Sequence, residues 1–186
     1  MSEERQSVNM DEFAEKFANV YFIKLIFKED IKIPHETLYT KLEEAFGEVD
    51  KVATGELSSY ALCKHVVTYQ GGEVPSQVMI TNTIPFDQTT IPEMAMYQCW
   101  TCDKALLQSC SYEVMVGDFM AGGLEIEERC QMIAKYVDIL LEVFPECIAL
   151  YWPHSQKFMP VQAYVQSQWN NPKLHFLDGG LNVRFF

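Results

Sequence analysis

No stretch of this sequence approaches the roughly 20 apolar residues that a membrane-crossing helix requires. Met1 to Asp11 is polar and acidic, without the basic region and apolar core of a secretory signal, so the chain is expected to stay in the cytoplasm. Basic residues are scarce: 14 lysines and arginines stand against 26 acidic side chains, a net charge of -12. No Lys/Arg cluster reverses that field locally, and a nucleic-acid backbone or an anionic membrane surface would be repelled by it. Such a charge suits solubility, or a basic partner. Phosphate-cradling motifs are missing too, because Gly122-Gly123 and Gly179-Gly180 lack the spacing of either glycine-rich loop. There is no EF-hand loop, kinase signature, internal repeat or low-complexity segment, and no cofactor is expected.

What is present is core material. Hydrophobic residues make up 48% and aromatics 13% of 186 residues, which excludes general disorder and suits one domain with a sizeable core. The six cysteines, in a chain without an export signal, are expected to be reduced thiols among apolar neighbours.

The hydrophobic period changes along the chain in an informative order. Val20 to Phe27 reads as a strand, almost continuously apolar and so central in its sheet. Pro34 to Phe46 reads as a helix burying Leu38, Leu42, Ala45 and Phe46, with Gly47 as its C-terminal cap. Tyr60 to Tyr69 and Gln77 to Thr83 read as strands, followed by a helix around Glu93 to Gln108 and a strand from Tyr112 to Phe119. This β-α-β-β-α-β order predicts an α+β fold with a ferredoxin-like split βαβ core, mainly antiparallel, its helices packed on the sheet.

An extension follows. Ile126, Cys130, Ile133, Ala134, Val137, Leu140, Leu141 and Phe144 recur at helical spacing until Pro145 stops the run. Then come a strand from Cys147 to Trp152, a short helix from Val161 to Gln168, and a C-terminal hairpin turning at Asp178-Gly179-Gly180. Residues 1–19 are expected to be a mobile leader or a short helix, and residues 20–186 a single domain. The apolar ending Val183-Arg184-Phe185-Phe186 has two readings: a chain truncated at its C-terminal end, or an edge strand that ends flush. An exposed edge of this kind would permit self-association.

Ile148-Ala149-Leu150-Tyr151-Trp152-Pro153, placed directly after the long helix, carries a resemblance. So do Phe22 to Phe27, the Leu-x-x-x-Leu helix ending at Phe46-Gly47, the Trp100 segment and the strand Tyr112 to Val116. Together they resemble a widespread bacterial cytoplasmic family known only as a domain of unknown function, over roughly residues 20–186. The resemblance implies a chain that commonly continues further, no assigned catalytic residues, and a link to small protein-binding modules, including immunity-type caps of toxins.

Two constellations could carry chemistry. Cys99-Trp100-Thr101-Cys102 has the spacing of a thiol redox site, or could begin a zinc site completed by Cys110 and His65 or His154. Against both, the pair lies within a helical pattern and has no second close ligand pair; core cysteines are the plainer reading. Tyr151-Trp152-Pro153-His154-Ser155 could line a pocket with His154 as acid or base, yet no orienting carboxylate is identifiable and Ser155 lacks a nucleophile elbow. Trp152 reads more readily as a core or rim aromatic than as a pocket residue. Glu125, Glu127 and Glu128 suit the positive end of the helix dipole, and His35, His65 and His175 read as isolated. No metal or catalytic residue is assigned. The expected function is a non-catalytic acidic protein-interaction module, regulatory or immunity-type. The alternative is a small enzyme using Tyr151 to Ser155, or Cys99 and Cys102.

Overall fold

The computed structural model describes residues 20–69, 72–93, 95, 104–167 and 174–181. Strand β1 (Phe22–Phe27) leads through a loop to helix α1 (His35–Phe46), then to β2 (Val49–Ala53), β3 (Leu57–Tyr69), β4 (Gly72–Thr81) and the short β5 (Ile84–Pro85). A single 3-10 turn, α2 (Lys104–Gln108), β6 (Tyr112–Phe119) and α3 (Ile126–Val143) follow. The chain then forms β7 (Ala149–Trp152), β8 (Lys157–Pro160), α4 (Val161–Val165) and α5 (Phe176–Gly180).

The strands form one sheet in the order β2-β3-β4-β6-β1-β7-β8, with β5 paired to β6 beyond the end of β4. Every pairing is antiparallel. The fold is therefore α+β with an antiparallel sheet, as the period changes imply. The neighbour order departs from the four-stranded ferredoxin-like plan, which would set β4 beside β1. Here β6 lies between them, and the β6–α3–β7 crossover places an apolar strand on each side of β1. A strand that is apolar on both faces is most stable with both edges paired, and β1 takes the central place its sequence predicts.

Alternation along the strands sends side chains to two cores. Ile23, Leu25, Phe27, Val114, Val116, Leu150 and Trp152 meet α1 and α3 on one face. Ile26, Ala149, Tyr151 and Phe158 meet Phe86, Ile91 and Cys110 on the other. On α1, Leu38, Leu42 and Phe46 are buried, Pro34 stands at the N-terminal cap and Gly47 takes φ 83° at the C-terminal one. On α3, Ile133, Val137 and Leu140 are buried, whereas Ile126 is 82% exposed, outside the apolar stripe expected of it.

β2 is polar and β8 spans only four residues, so neither carries enough apolar periodicity to be read from sequence; pairing with β3 and β7 makes them strands. The expected C-terminal hairpin is absent at its turn: Asp178-Gly179-Gly180 belongs to helix α5. The reason is steric and local. Gly179 lies flush on the Trp152 indole, with no space for a Cβ, so the glycine serves a close approach rather than a positive φ. The expected leader, the Cys99 to Cys102 motif and the apolar ending at Val183 to Phe186 lie outside the described residues.

Candidate functional site

The residues from Tyr151 to Ser155 sit at the β7–β8 hairpin, whose return is made by Gln156 at φ 54°. Strand alternation points Trp152 into the helix-side core, where it is fully buried. Its ring is boxed by other aromatics. Tyr21 approaches edge-on with centroids 6.1 Å apart, Phe176 of α5 edge-on at 5.7 Å, and Tyr164 of α4 tilted at 6.1 Å. His154 at the hairpin tip is exposed and stacks on Tyr21 at 4.6 Å. His175 stacks on Tyr164 at 4.3 Å.

Hydrogen bonds tie α5 over this cluster. The Ser155 hydroxyl lies 2.7 Å from the Gly179 carbonyl and 3.3 Å from that of Trp152. Lys157 Nζ donates to the Asp178 carbonyl, and the Ser167 hydroxyl donates to Asp178 Oδ2 at 2.5 Å. Beneath α5, the Tyr21 hydroxyl, Trp152 Nε1 and the Tyr164 hydroxyl are buried with no hydrogen-bond partner among the described residues. Burial pushes the Tyr21 hydroxyl up to about 12, reinforced by Cys130 and opposed by Arg129. The Tyr164 hydroxyl is raised well above the usual phenol value by burial and by Asp138 and Asp178.

One layer further in, Asp118 of β6 holds this end of the sheet together. Its side chain is 1% exposed and accepts from Arg129 Nε at 2.5 Å and a terminal guanidinium nitrogen at 3.0 Å. The Tyr21 backbone N–H donates to the same carboxylate at 2.6 Å, which fixes the segment entering β1. Gly117 beside it allows this approach, because a Cβ there would lie 2.6 Å from the Tyr21 carbonyl oxygen.

As an acid–base centre the hairpin tip is poorly furnished. Among the described residues no carboxylate pairs with His154, and the Ser155 hydroxyl is engaged with main-chain carbonyls. Trp152 takes the core role that its sequence allows. The four described thiols are raised by burial: Cys110 to about 11 and Cys147 to about 12, with Cys63 and Cys130 raised as well. None has the lowered value of a nucleophilic thiolate.

The zinc combination of His65 or His154 with Cys110 is dispersed. His65 on β3 pairs with Glu128 of α3 at 2.8 Å and lies edge-on to Phe46. His154 follows β7, four places along the sheet, about 19 Å at the ordinary strand spacing. The Cys110 thiol contacts the Leu106 carbonyl. Among the described residues, no group of three or more His, Cys, Asp or Glu side chains gathers as metal ligands.

Two expectations change. Glu128 does more than face the helix dipole, since a bulge in β3 between Leu62 and Val66 turns His65 toward it. His175, read as isolated, sits between Asp138 at 3.5 Å and Asp178 at 3.8 Å. The i,i+3 spacing of His175 and Asp178 was the available signal, obscured by reading the two glycines as a hairpin turn.

The far end of the sheet differs in character. Strand β2 is terminal in the order, and every residue from Asp50 to Leu57 is exposed, including Val52 at 53% and Leu57 at 47%. Glu48, Asp50 and Glu56 flank this edge, and Glu36 of α1 reaches Lys51 at 2.8 Å. Glu48 bonds Cys63 across the pair, so strand alternation turns the N–H and C=O groups of Val49 and Lys51 away from β3. The Val49 carbonyl is taken by the Tyr39 hydroxyl.

No protein-family model, curated protein or solved structure matches the chain. No described helix is long and apolar enough to cross a membrane.

Proposed function

We propose that this protein is a non-catalytic interaction module of the cytoplasm that receives a basic protein segment along its β2 edge, as a regulator or an immunity-type cap. The observation that carries the reading is the exposed, acidic edge strand. Lys51 directs its main-chain groups outward, Val52 and Leu57 offer apolar contact, and Glu36, Glu48, Asp50 and Glu56 outnumber the single lysine among them. Strand addition uses such an edge: the main chain supplies affinity and the alternating side chains supply selectivity. The net charge of -12 speeds encounter with a basic partner and repels nucleic acid and anionic membrane. The aromatic cluster at the opposite end of the sheet is packed and tied rather than open, which favours binding over catalysis.

The test is capture from native extract by the wild type in parallel with Asp50→Lys and Lys51→Pro. The first reverses the local charge and the second deletes one outward N–H; both should unfold at the wild-type temperature. The expected result is a stoichiometric basic protein held by the wild type, lost by both variants, and associating more slowly as salt rises. An empty capture, an acidic partner, equal retention by the variants, or a salt-insensitive on-rate each removes the reading.

A further inference from the structure

We propose that His175 is a proton-operated latch that seats helix α5 over the Trp152 cluster when the imidazole is charged and loosens it when the imidazole is neutral. The geometry is two-sided. Nδ1 faces Asp138 Oδ2 of α3 at 3.5 Å, and Nε2 faces Asp178 Oδ2 of α5 at 3.8 Å. An imidazolium carries an N–H on both nitrogens and is attracted to both carboxylates. A neutral ring has one N–H and one lone pair, so one of the two nitrogens then presents a lone pair to a carboxylate oxygen. Both contacts are favourable in only one protonation state.

The surroundings reinforce that preference. Among the described residues, the groups facing His175 are Asp138, with Glu142 one turn further along α3, Asp178 on its own helix and the Tyr164 ring of α4. Lys157 of β8 is bonded to the Asp178 main-chain carbonyl. Asp178 is 6% exposed and has the Ser167 hydroxyl as its other side-chain partner, so loss of the imidazolium removes a positive neighbour from a buried carboxylate.

What the latch holds down is costly to keep closed. Phe176 and Gly179 of α5 cover Trp152, and three polar atoms without a hydrogen-bond partner among the described residues, Tyr21 Oη, Trp152 Nε1 and Tyr164 Oη, lie in the cluster beneath. A buried polar group without a partner opposes the closed state, and water would satisfy all three once α5 lifts. A helix of five residues has little intrinsic stability to resist this, so its seat depends on tertiary contacts. Lifting it would expose an aromatic surface of Tyr21, Trp152 and Tyr164. The latch is independent of the β2 edge, which lies at the other end of the sheet.

Amide hydrogen exchange of the full chain at pH 5.5 and pH 8, corrected for intrinsic rates, tests the latch. Protection of the Phe176–Gly180 amides should fall about tenfold toward pH 8, the scale of two partly exposed ion contacts. In His175→Gln, which cannot charge, protection should be low at both values, while exchange in α3 keeps its wild-type pattern. His175→Phe keeps the ring stack on Tyr164 without charge and should likewise abolish the pH dependence, separating charge from packing. Equal wild-type protection at the two values, or the same fall in either variant, would overturn the latch.

Discussion

Replacing Arg129 by methionine removes the guanidinium from Asp118 while keeping most of the aliphatic stem. Asp118 is 1% exposed and Arg129 18% exposed, so the pair is shielded from solvent and the carboxylate left behind retains the Tyr21 N–H alone from the contacts described above. Breaking a buried pair from one side costs about 3–5 kcal/mol. For a domain of this size each kcal/mol lowers the unfolding temperature by about 2–4 °C, so the expected fall is about 6–20 °C. Asp118→Asn retains an acceptor for Tyr21 and deletes the negative charge. The double variant Asp118→Asn, Arg129→Met leaves neither charge, and its loss should be smaller than the sum of the two single losses. Thermal and urea unfolding of all four proteins at pH 7, followed by circular dichroism, closes the cycle. A fall of less than about 2 °C in Arg129→Met, or a coupling below about 0.5 kcal/mol, would refute the view that a shielded charge pair anchors the entry into β1.

Three further outcomes follow from buried groups. Tyr136 is fully buried, donates to the Met79 carbonyl at 3.0 Å, and has its hydroxyl raised well above 10 by burial. The native state therefore keeps a proton that the unfolded chain releases, and stability falls as pH rises through the ordinary phenol value; Tyr136→Phe should cost about 0.5–1.5 kcal/mol at pH 7 yet flatten the alkaline limb of a urea-midpoint titration, and an unchanged limb counts against this. Tyr164→Phe deletes a buried hydroxyl that has no partner among the described residues, so chemical denaturation should show no loss and up to about 2 kcal/mol of gain, whereas a loss above about 1 kcal/mol would mean that the hydroxyl is satisfied in solution. Cys110 and Cys147, with thiols raised to about 11 and about 12, should label with a thiol reagent at pH 8 about 100-fold and about 1,000-fold more slowly, respectively, in the native than in the unfolded protein, as mapped by mass spectrometry; rapid native labelling of either would contradict its burial.

The legible parts of this protein were those in which a local period reports a local environment. Leu38, Leu42 and Phe46 recur at helical spacing because one side of α1 meets the sheet, and β1 is apolar apart from Lys24 because both its faces are covered. The net charge of -12 likewise needs no coordinates. The strand neighbours were less legible. The βαβ order fits several sheet orders, and β2 and β8 owe their conformation to pairing with the adjoining strands β3 and β7 rather than to an apolar period of their own.

The candidate site divides in the same way. From the sequence alone, Trp152 and His154 could be singled out as a chemically unusual pair at a strand end, because aromatic and imidazole groups there are conspicuous in any context. Only the tertiary structure decided that Trp152 is core, that His154 rests on Tyr21, and that His175 faces Asp138 from another helix. It also decided that Gly179 is small for the sake of an indole 27 positions earlier, and not for a turn. The physical reason is range: backbone preference and amphipathic period act over a few neighbouring residues, whereas close packing and ion pairing depend on which distant segments the sheet order brings together.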